Sequence, residues 1–178
     1  MHLGESGHFC ERPDMPDLLV HATVGYLFVF RNHTRYVIAS IFLLGCIFPD
    51  LIRGPLLLMA NVQRSMGIQI ISPDLIIALQ IFHSPISLLI QAWLFCLFFE
   101  RNLRWRVFVS LSLGIFLHLL LDAGQRAYQI SYFWLFPFSF ENPFPGLWWS
   151  DEGLWLTVTS GLIAAIMLGQ RHLSTRSR

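Results

Sequence analysis

The chain has 178 residues, of which 54% are hydrophobic and only 13% are charged, and its mean hydropathy is +0.56. Soluble domains carry roughly 25% charged residues, so this composition is typical of a membrane protein and argues against a soluble domain. Twelve arginines, no lysine and eleven acids leave a net charge of +1, which excludes the strongly basic surface that binding to nucleic acid requires.

Five apolar runs predict an all-α fold, a polytopic bundle of about five transmembrane helices. The runs are residues 18–30, 37–48, 75–99, 107–121 and 154–168. The third run contains Ser84-Pro85. Because proline lacks a backbone donor and serine is a favourable N-cap, we predict that this helix is broken there. We expect one membrane domain over residues 18–170, between an N-terminal tail (1–17) and a basic C-terminal tail (171–178).

The distribution of charge along the chain predicts its orientation in the membrane. If the N-terminus is outside, five crossings place eight of the twelve arginines in the cytoplasm and ten of the eleven acids outside. We therefore predict an external N-terminus and a cytoplasmic C-terminus.

Two long stretches would then lie outside. Residues 54–72 are moderately apolar and are predicted to form a helix on the membrane surface. Residues 128–149 contain ten aromatic residues and three prolines. The prolines argue against a regular span and favour an aromatic loop at the membrane interface.

Five histidines and aspartates lie in or beside the apolar runs, where ionisable side chains are costly and mark candidate functional sites. They are His21, Asp50, His83, His118 and Asp122. The predicted topology places all five at the outer ends of their helices. The i, i+4 spacing of His118 and Asp122 puts both on one helix face. Imidazole with carboxylate suits zinc, manganese or iron, and carboxylate-rich sites also accept magnesium.

A purely structural interpretation stays open beside the metal site. His118 can bond a backbone carbonyl, and Asp122 can pair with Arg126. We expect Pro49 to end the second helix, so Asp50 would lie at a helix C-terminus that disfavours negative charge. Arg53 is the candidate partner of Asp50. If a metal satisfied the aspartates, both arginines would be free to hold an anionic substrate.

The order of these motifs resembles that of the predicted membrane-bound metal-dependent hydrolases of bacteria and archaea. The resemblance covers residues 18–140 and rests on LVHATVGYLF, GCIFPDLI, FHSPISLL and FLHLLLDA followed by WLFPFS. It implies a prokaryotic inner-membrane protein in which all five histidines and aspartates are metal ligands and Ser84 supports the site or contacts substrate. The chain departs from the family at Ile52, which replaces a second acid, and at Ile81-Phe82, which replace a basic residue and a threonine.

The combined hypothesis is an integral membrane, metal-dependent hydrolase that acts at the outer interface on a lipid or lipid-linked phosphoester or ester. A divalent ion, zinc in the first place, would activate water while an aspartate accepts a proton, with Asp50 as the first choice and Asp122 as the second. Arg53 and Arg126 would bind the substrate's phosphate. Two other classes remain open: an ion or solute transporter, whose site is expected near the membrane midplane, and a scaffold whose histidines and aspartates satisfy each other.

Overall fold

The structure of the protein is a computed structural model that describes residues 17–31, 36–67, 72–124, 133–147 and 153–176. These ranges contain six α-helices and no strand, which confirms the all-α class. The helices are α1 (Asp17–Arg31), α2 (Tyr36–Met66), α3 (Pro73–Phe82), α4 (Pro85–Cys96), α5 (Arg101–Gly124) and α6 (Gly153–Arg176). Of the predicted N-terminal tail, only Asp17 belongs to the described residues, whereas α6 continues into the predicted C-terminal tail.

One helix among the described residues, α5, is long and apolar enough to cross a membrane. Shorter apolar stretches lie in α1, α2, α4 and α6 (Leu18–Val29, Val37–Leu51, Pro85–Cys96 and Val158–Leu168). Length and composition thus support one candidate span, and the bundle of five spans stays a prediction.

Helix α2 does not end at Pro49, so our expectation for this position was wrong. The helix continues through Pro49 and Asp50 to Met66, although proline removes one backbone hydrogen bond from a helix interior. Pro49 is fully buried, and packing compensates for that bond. Within the stretch 54–72, which was predicted to form a helix, residues 54–66 are helical but continue α2 without a break, and Gly67 follows with a φ of 65°.

The break predicted at Ser84-Pro85 is present between α3 and α4. His83 ends α3, and its backbone N–H donates to the carbonyl of Leu79 at 2.9 Å. Ser84 has an extended backbone, and its hydroxyl oxygen accepts from the N–H of Ser87 at 3.4 Å. Pro85 then starts α4, where its missing N–H costs nothing. The break therefore turns His83 and Ser84 inward, and both are buried.

Helices α2 and α5 pack in parallel through small side chains. The hydroxyl of Ser110 donates to the carbonyl of Ile38 at 2.8 Å. One turn further along α5 and two turns further along α2, Gly114 meets Gly45. A Cβ on Gly114 would lie 2.9 Å from the Cα of Gly45 and would clash with the carbonyl oxygen of Phe42. Glycine at both positions is therefore what allows the two backbones to approach this closely.

Helix α1 runs antiparallel to α2 and packs against it. Phe28 stacks on Phe42 with ring centroids 5.4 Å apart, and Gly25 lies against Cys46 closer to the start of α1. A Cβ on Gly25 would come within 2.7 Å of the Cys46 sulfur. Side chains at the start of α1 consequently lie level with the middle of α2.

A second face of α5 forms the apolar core with α4. The buried cluster contains Leu88, Ala92, Leu111, Ile115 and Leu119. Trp134 from the stretch 133–147 packs against this cluster. That stretch contains no regular helix, and the N–H of Leu147 donates to the carbonyl of Gly124 at 2.6 Å. The aromatic segment therefore folds back onto the C-terminal end of α5.

Helix α6 packs on α1. The hydroxyls of Thr23 and Ser160 lie 2.8 Å apart, which joins the first and last helices through a hydrogen bond between side chains. The exposed face of α6 is largely apolar, with large hydrophobic side chains such as Trp155, Leu162 and Ile166 at least half exposed.

Candidate metal centre

One face of α5 carries a buried row of small and polar residues. Ser110, Gly114, His118 and Asp122 recur every four residues, and all four are buried. The period of an α-helix places them one above the other on the side that contacts α2. The glycine contact with α2 therefore brings α2 close to His118 and Asp122.

Three other elements bring side chains to the same place. His21 comes from the second turn of α1, Asp50 from the middle of α2 and His83 from the junction of α3 and α4. The histidine side chains and that of Asp122 are at most 2% exposed, whereas the Asp50 side chain is 17% exposed. The structure thus brings together all five histidines and aspartates that sequence analysis selected, and Asp50 is the member nearest to the surface.

Asp122 lies at the centre of the group. Its Oδ2 is 2.9 Å from the Nε2 of His83 and 3.3 Å from the Nε2 of His118, and its Oδ1 is 3.2 Å from the Nε2 of His21. Three imidazole nitrogens from three different helical segments therefore converge on one carboxylate.

His118 is oriented by the backbone of α2. Its Nδ1 lies 2.8 Å from the carbonyl oxygen of Cys46. Because a carbonyl can only accept, Nδ1–H donates, and a neutral ring then presents the lone pair of Nε2 to the cluster. That Nε2 faces Asp122 and also lies 3.4 Å from the Nε2 of His83. A backbone carbonyl that fixes the tautomer in this way is typical of a metal-binding histidine.

His21 and Asp50 complete the cluster. The Nδ1 of His21 is 3.3 Å from Oδ2 of Asp50, and the ring stacks on His118 with centroids 4.0 Å apart. The other carboxylate oxygen of Asp50 lies 3.9 Å from the Nε2 of His118. Asp50 therefore contacts His21 with one oxygen and faces the cluster with the other.

The donor set fits a metal ion. Single ligand atoms from His21, His118 and Asp122 lie within 4.8 Å of one another, so these three residues could hold a metal. A tetrahedral ion with bonds of about 2.05 Å sets its ligand atoms about 3.3 Å apart. The Nε2 atoms of His21 and His118 lie 3.2 and 3.3 Å from the carboxylate oxygens of Asp122, which matches that value.

The charge of the cluster also favours a cation. It contains two carboxylates, and the ion pairs within the described residues give Asp50 and Asp122 only histidine partners. Burying two carboxylates among neutral imidazoles is costly unless protons or a cation compensate. A divalent ion has the required charge.

Several predicted site residues are not part of this geometry. Arg126 lies outside the described residues, as do the side chains of Arg53 and Ile52. One part of the purely structural interpretation is present, because His118 does bond a backbone carbonyl. Ser84 is buried beside His83, but its hydroxyl donates to the hydroxyl of Ser87 at 2.9 Å and caps α4.

The carbonyl of Cys46 and the contact between Gly45 and Gly114 were not predicted from the sequence. Every residue has a backbone carbonyl, so the sequence does not mark the one that accepts from His118. The glycine contact joins two segments far apart in the chain, although Ser110 and Gly114 do precede His118 at four-residue spacing. That spacing could have indicated a close helix contact on the face of α5 that carries His118.

No protein family, no curated protein and no solved structure matches this chain.

Proposed function

We propose that the protein is an integral membrane hydrolase that depends on a divalent metal, with zinc as the first candidate, and acts on a lipid or lipid-linked phosphoester or ester. The observation that carries this proposal is the convergence of three imidazoles on the buried carboxylate of Asp122. Its membrane part is supported by the candidate span α5 and by the composition.

His21, His118 and Asp122 are the residues that would hold the ion, with His83 beside them. A divalent ion bound there would supply Lewis acidity toward the substrate and a water activated for attack. The carbonyl of Cys46 keeps the Nδ1 proton of His118 in place, so this ring would bind the ion through Nε2.

Asp50 is the proposed proton acceptor. Its side chain is the most exposed of the five, and its Oδ1 faces the cluster at 3.9 Å from the Nε2 of His118. Meanwhile its Oδ2 is held by His21 at 3.3 Å. A carboxylate fixed by one oxygen can take a proton on the other without losing its position.

The surroundings of the cluster support the proposed substrate class. The irregular segment 133–147 packs on the adjacent end of α5 and exposes Phe138, Phe140 and Leu147. These apolar side chains are suited to an acyl or prenyl chain entering from the bilayer. The proposed location is a prokaryotic inner membrane with the cluster toward the outer side.

The first experiment measures the metal content of the full chain purified in detergent. We expect about one divalent ion per chain for the wild type and loss of that ion in His118→Ala. His172→Ala replaces a histidine that is not one of the five clustered residues and serves as the control, which we expect to keep its metal. A wild type without metal would refute the metal site and leave the scaffold, in which His83 and Asp122 simply bond each other.

The second experiment measures phosphate release from phosphatidic acid and hydrolysis of a lipid ester by the metal-loaded protein. We expect turnover that disappears in His118→Ala and in Asp50→Asn, and persists in His172→Ala. Metal binding without turnover of either substrate class would refute the proposed hydrolase while leaving the metal centre intact. Turnover that survives in His118→Ala would refute the assignment of the site.

A further inference from the structure

An apolar cavity lies at the end of the bundle opposite to the histidines and aspartates. Its volume is about 350 Å³, and it lies between α1, α2 and the first half of α5. Its wall includes Phe28, Ile38, Phe42, Trp105 and Leu113. At a rise of about 1.5 Å per residue, the nearest lining residues are Phe28, about 11 Å from His21 along α1, and Leu113, about 8 Å from His118 along α5. None of the five histidines and aspartates lines the cavity. The cavity is therefore separate from the proposed metal centre.

The wall of the cavity has almost no polar groups available to a ligand. Two lining residues are polar, Ser110 and Arg106. The hydroxyl of Ser110 donates to the carbonyl of Ile38, so its proton is already used. A ligand that fills this space must accordingly have an apolar body, and 350 Å³ falls in the range of small-molecule sites.

Arg106 supplies a positive charge at the edge of this apolar space. It is exposed, and within the described residues no carboxylate pairs with it. Its neighbour Arg104 differs, because Arg104 donates to the carbonyls of Phe99 and Leu97 at 3.0 and 3.2 Å and so caps the end of α4. Arg106 thus remains available for an anion, and guanidinium favours phosphate through paired hydrogen bonds.

The residues around Arg106 indicate that the anion belongs to a membrane lipid. Trp105 lines the cavity, is 68% exposed and precedes Arg106, which is the aromatic and basic pairing found at membrane interfaces. This end of the bundle contains the start of α5 with Arg101, Arg104 and Arg106. It is the end that the distribution of charge predicts to face the cytoplasm. The cytoplasmic leaflet carries the anionic lipids that attract such arginines.

We propose that this cavity binds one acyl chain of an anionic phospholipid from the cytoplasmic leaflet, with the lipid phosphate on Arg106. The lipid is a bound partner and not the substrate, because the cavity holds none of the five histidines and aspartates. The proposal rests on the membrane location but not on hydrolysis, so it can fail or hold independently of the metal centre.

The test uses the quenching of Trp105 fluorescence by brominated lipids in phosphatidylcholine nanodiscs that hold the full chain. The Trp105 signal is the difference between the wild type and Trp105→Phe. Brominated phosphatidylglycerol and brominated phosphatidylcholine are compared over the same range of mole fractions. We expect half of the Trp105 fluorescence to be quenched at a mole fraction of phosphatidylglycerol about fivefold lower than that of phosphatidylcholine. A fivefold preference is the attraction for anionic lipid that one arginine near a membrane surface contributes.

Two arginine variants separate a specific site from general attraction of anionic lipid. Arg106→Gln and Arg101→Gln each remove one exposed positive charge from the start of the same helix. We expect the fivefold preference to disappear in Arg106→Gln and to persist in Arg101→Gln, with metal content unchanged in both. Equal quenching by the two lipids in the wild type, or an equal loss of preference in both variants, would overturn the proposal.

Discussion

Replacing Gly114 by alanine tests whether the close contact of α2 with α5 sets the geometry of the histidines and aspartates. The new Cβ would lie 2.9 Å from the Cα of Gly45 and 3.0 Å from the backbone nitrogen of Cys46. Ordinary Cβ contacts begin at 3.4 Å, so α2 must move away by more than 0.5 Å, because the carbonyl oxygen of Phe42 lies closer still. Because the obstructing atoms belong to the backbone, no side chain can rotate to relieve the contact.

Gly161→Ala in α6 is the matched control, because nothing lies within 4 Å of a Cβ at that position. Both substitutions gain the same helix propensity, about 1 kcal/mol, so the difference between them isolates the overpacking. Overpacking costs about 1–3 kcal/mol, which for a chain of this size is about 2–12 °C in the midpoint of thermal unfolding. Thermal unfolding of the two variants in detergent measures this difference in midpoint.

Metal binding gives a second readout for the same pair of variants. Moving Cys46 lengthens its 2.8 Å contact with Nδ1 of His118, and losing such an outer contact typically costs 10- to 100-fold in metal affinity. We expect weaker metal binding in Gly114→Ala and wild-type binding in Gly161→Ala. If the two variants have the same unfolding midpoint and the same metal affinity, the reasoning from the glycine contact is wrong.

Two further substitutions test individual residues. Asp122→Asn replaces the carboxylate that three imidazoles share, so we expect loss of bound metal and a drop of about 1–3 kcal/mol in the free energy of unfolding, because buried polar groups lose their partner. Asp74→Asn, at an exposed position in α3, should retain the metal. An Asp122→Asn protein with full metal content would contradict the assignment. Ser84→Ala removes the N-cap of α4, so we expect a loss of about 1 kcal/mol in stability with metal retained. Ser72→Ala at the exposed N-cap of α3 is its control, and metal loss in Ser84→Ala at unchanged stability would instead place Ser84 in the metal site.

The side chains of the cluster could be predicted from the sequence because ionisable residues in apolar runs are unusual. The spacing of His118 and Asp122 predicted their shared face, and Ser84-Pro85 predicted the restart of a helix. Both predictions depend on neighbours in the chain. They could be made without knowing which helices pack together.

The features that sequence analysis did not predict depend on contacts between distant segments. Pro49 was expected to end α2, but its burial among other helices outweighs one missing hydrogen bond. The carbonyl of Cys46 acts on His118 only because Gly45 and Gly114 let the two helices approach. The cavity beside Arg106 likewise forms where three helices meet, so no single segment predicts it.

The hydrogen bond between Thr23 and Ser160 has a consequence for the order in which the protein is made. The two residues are 137 positions apart, and synthesis proceeds at about 5–20 residues per second, so α1 waits about 7–27 s for its partner. The last residue of the histidine and aspartate cluster, Asp122, emerges well before Ser160. During biosynthesis the five residues can therefore assemble while one flank of α1 is still uncovered, and α6 closes that flank last.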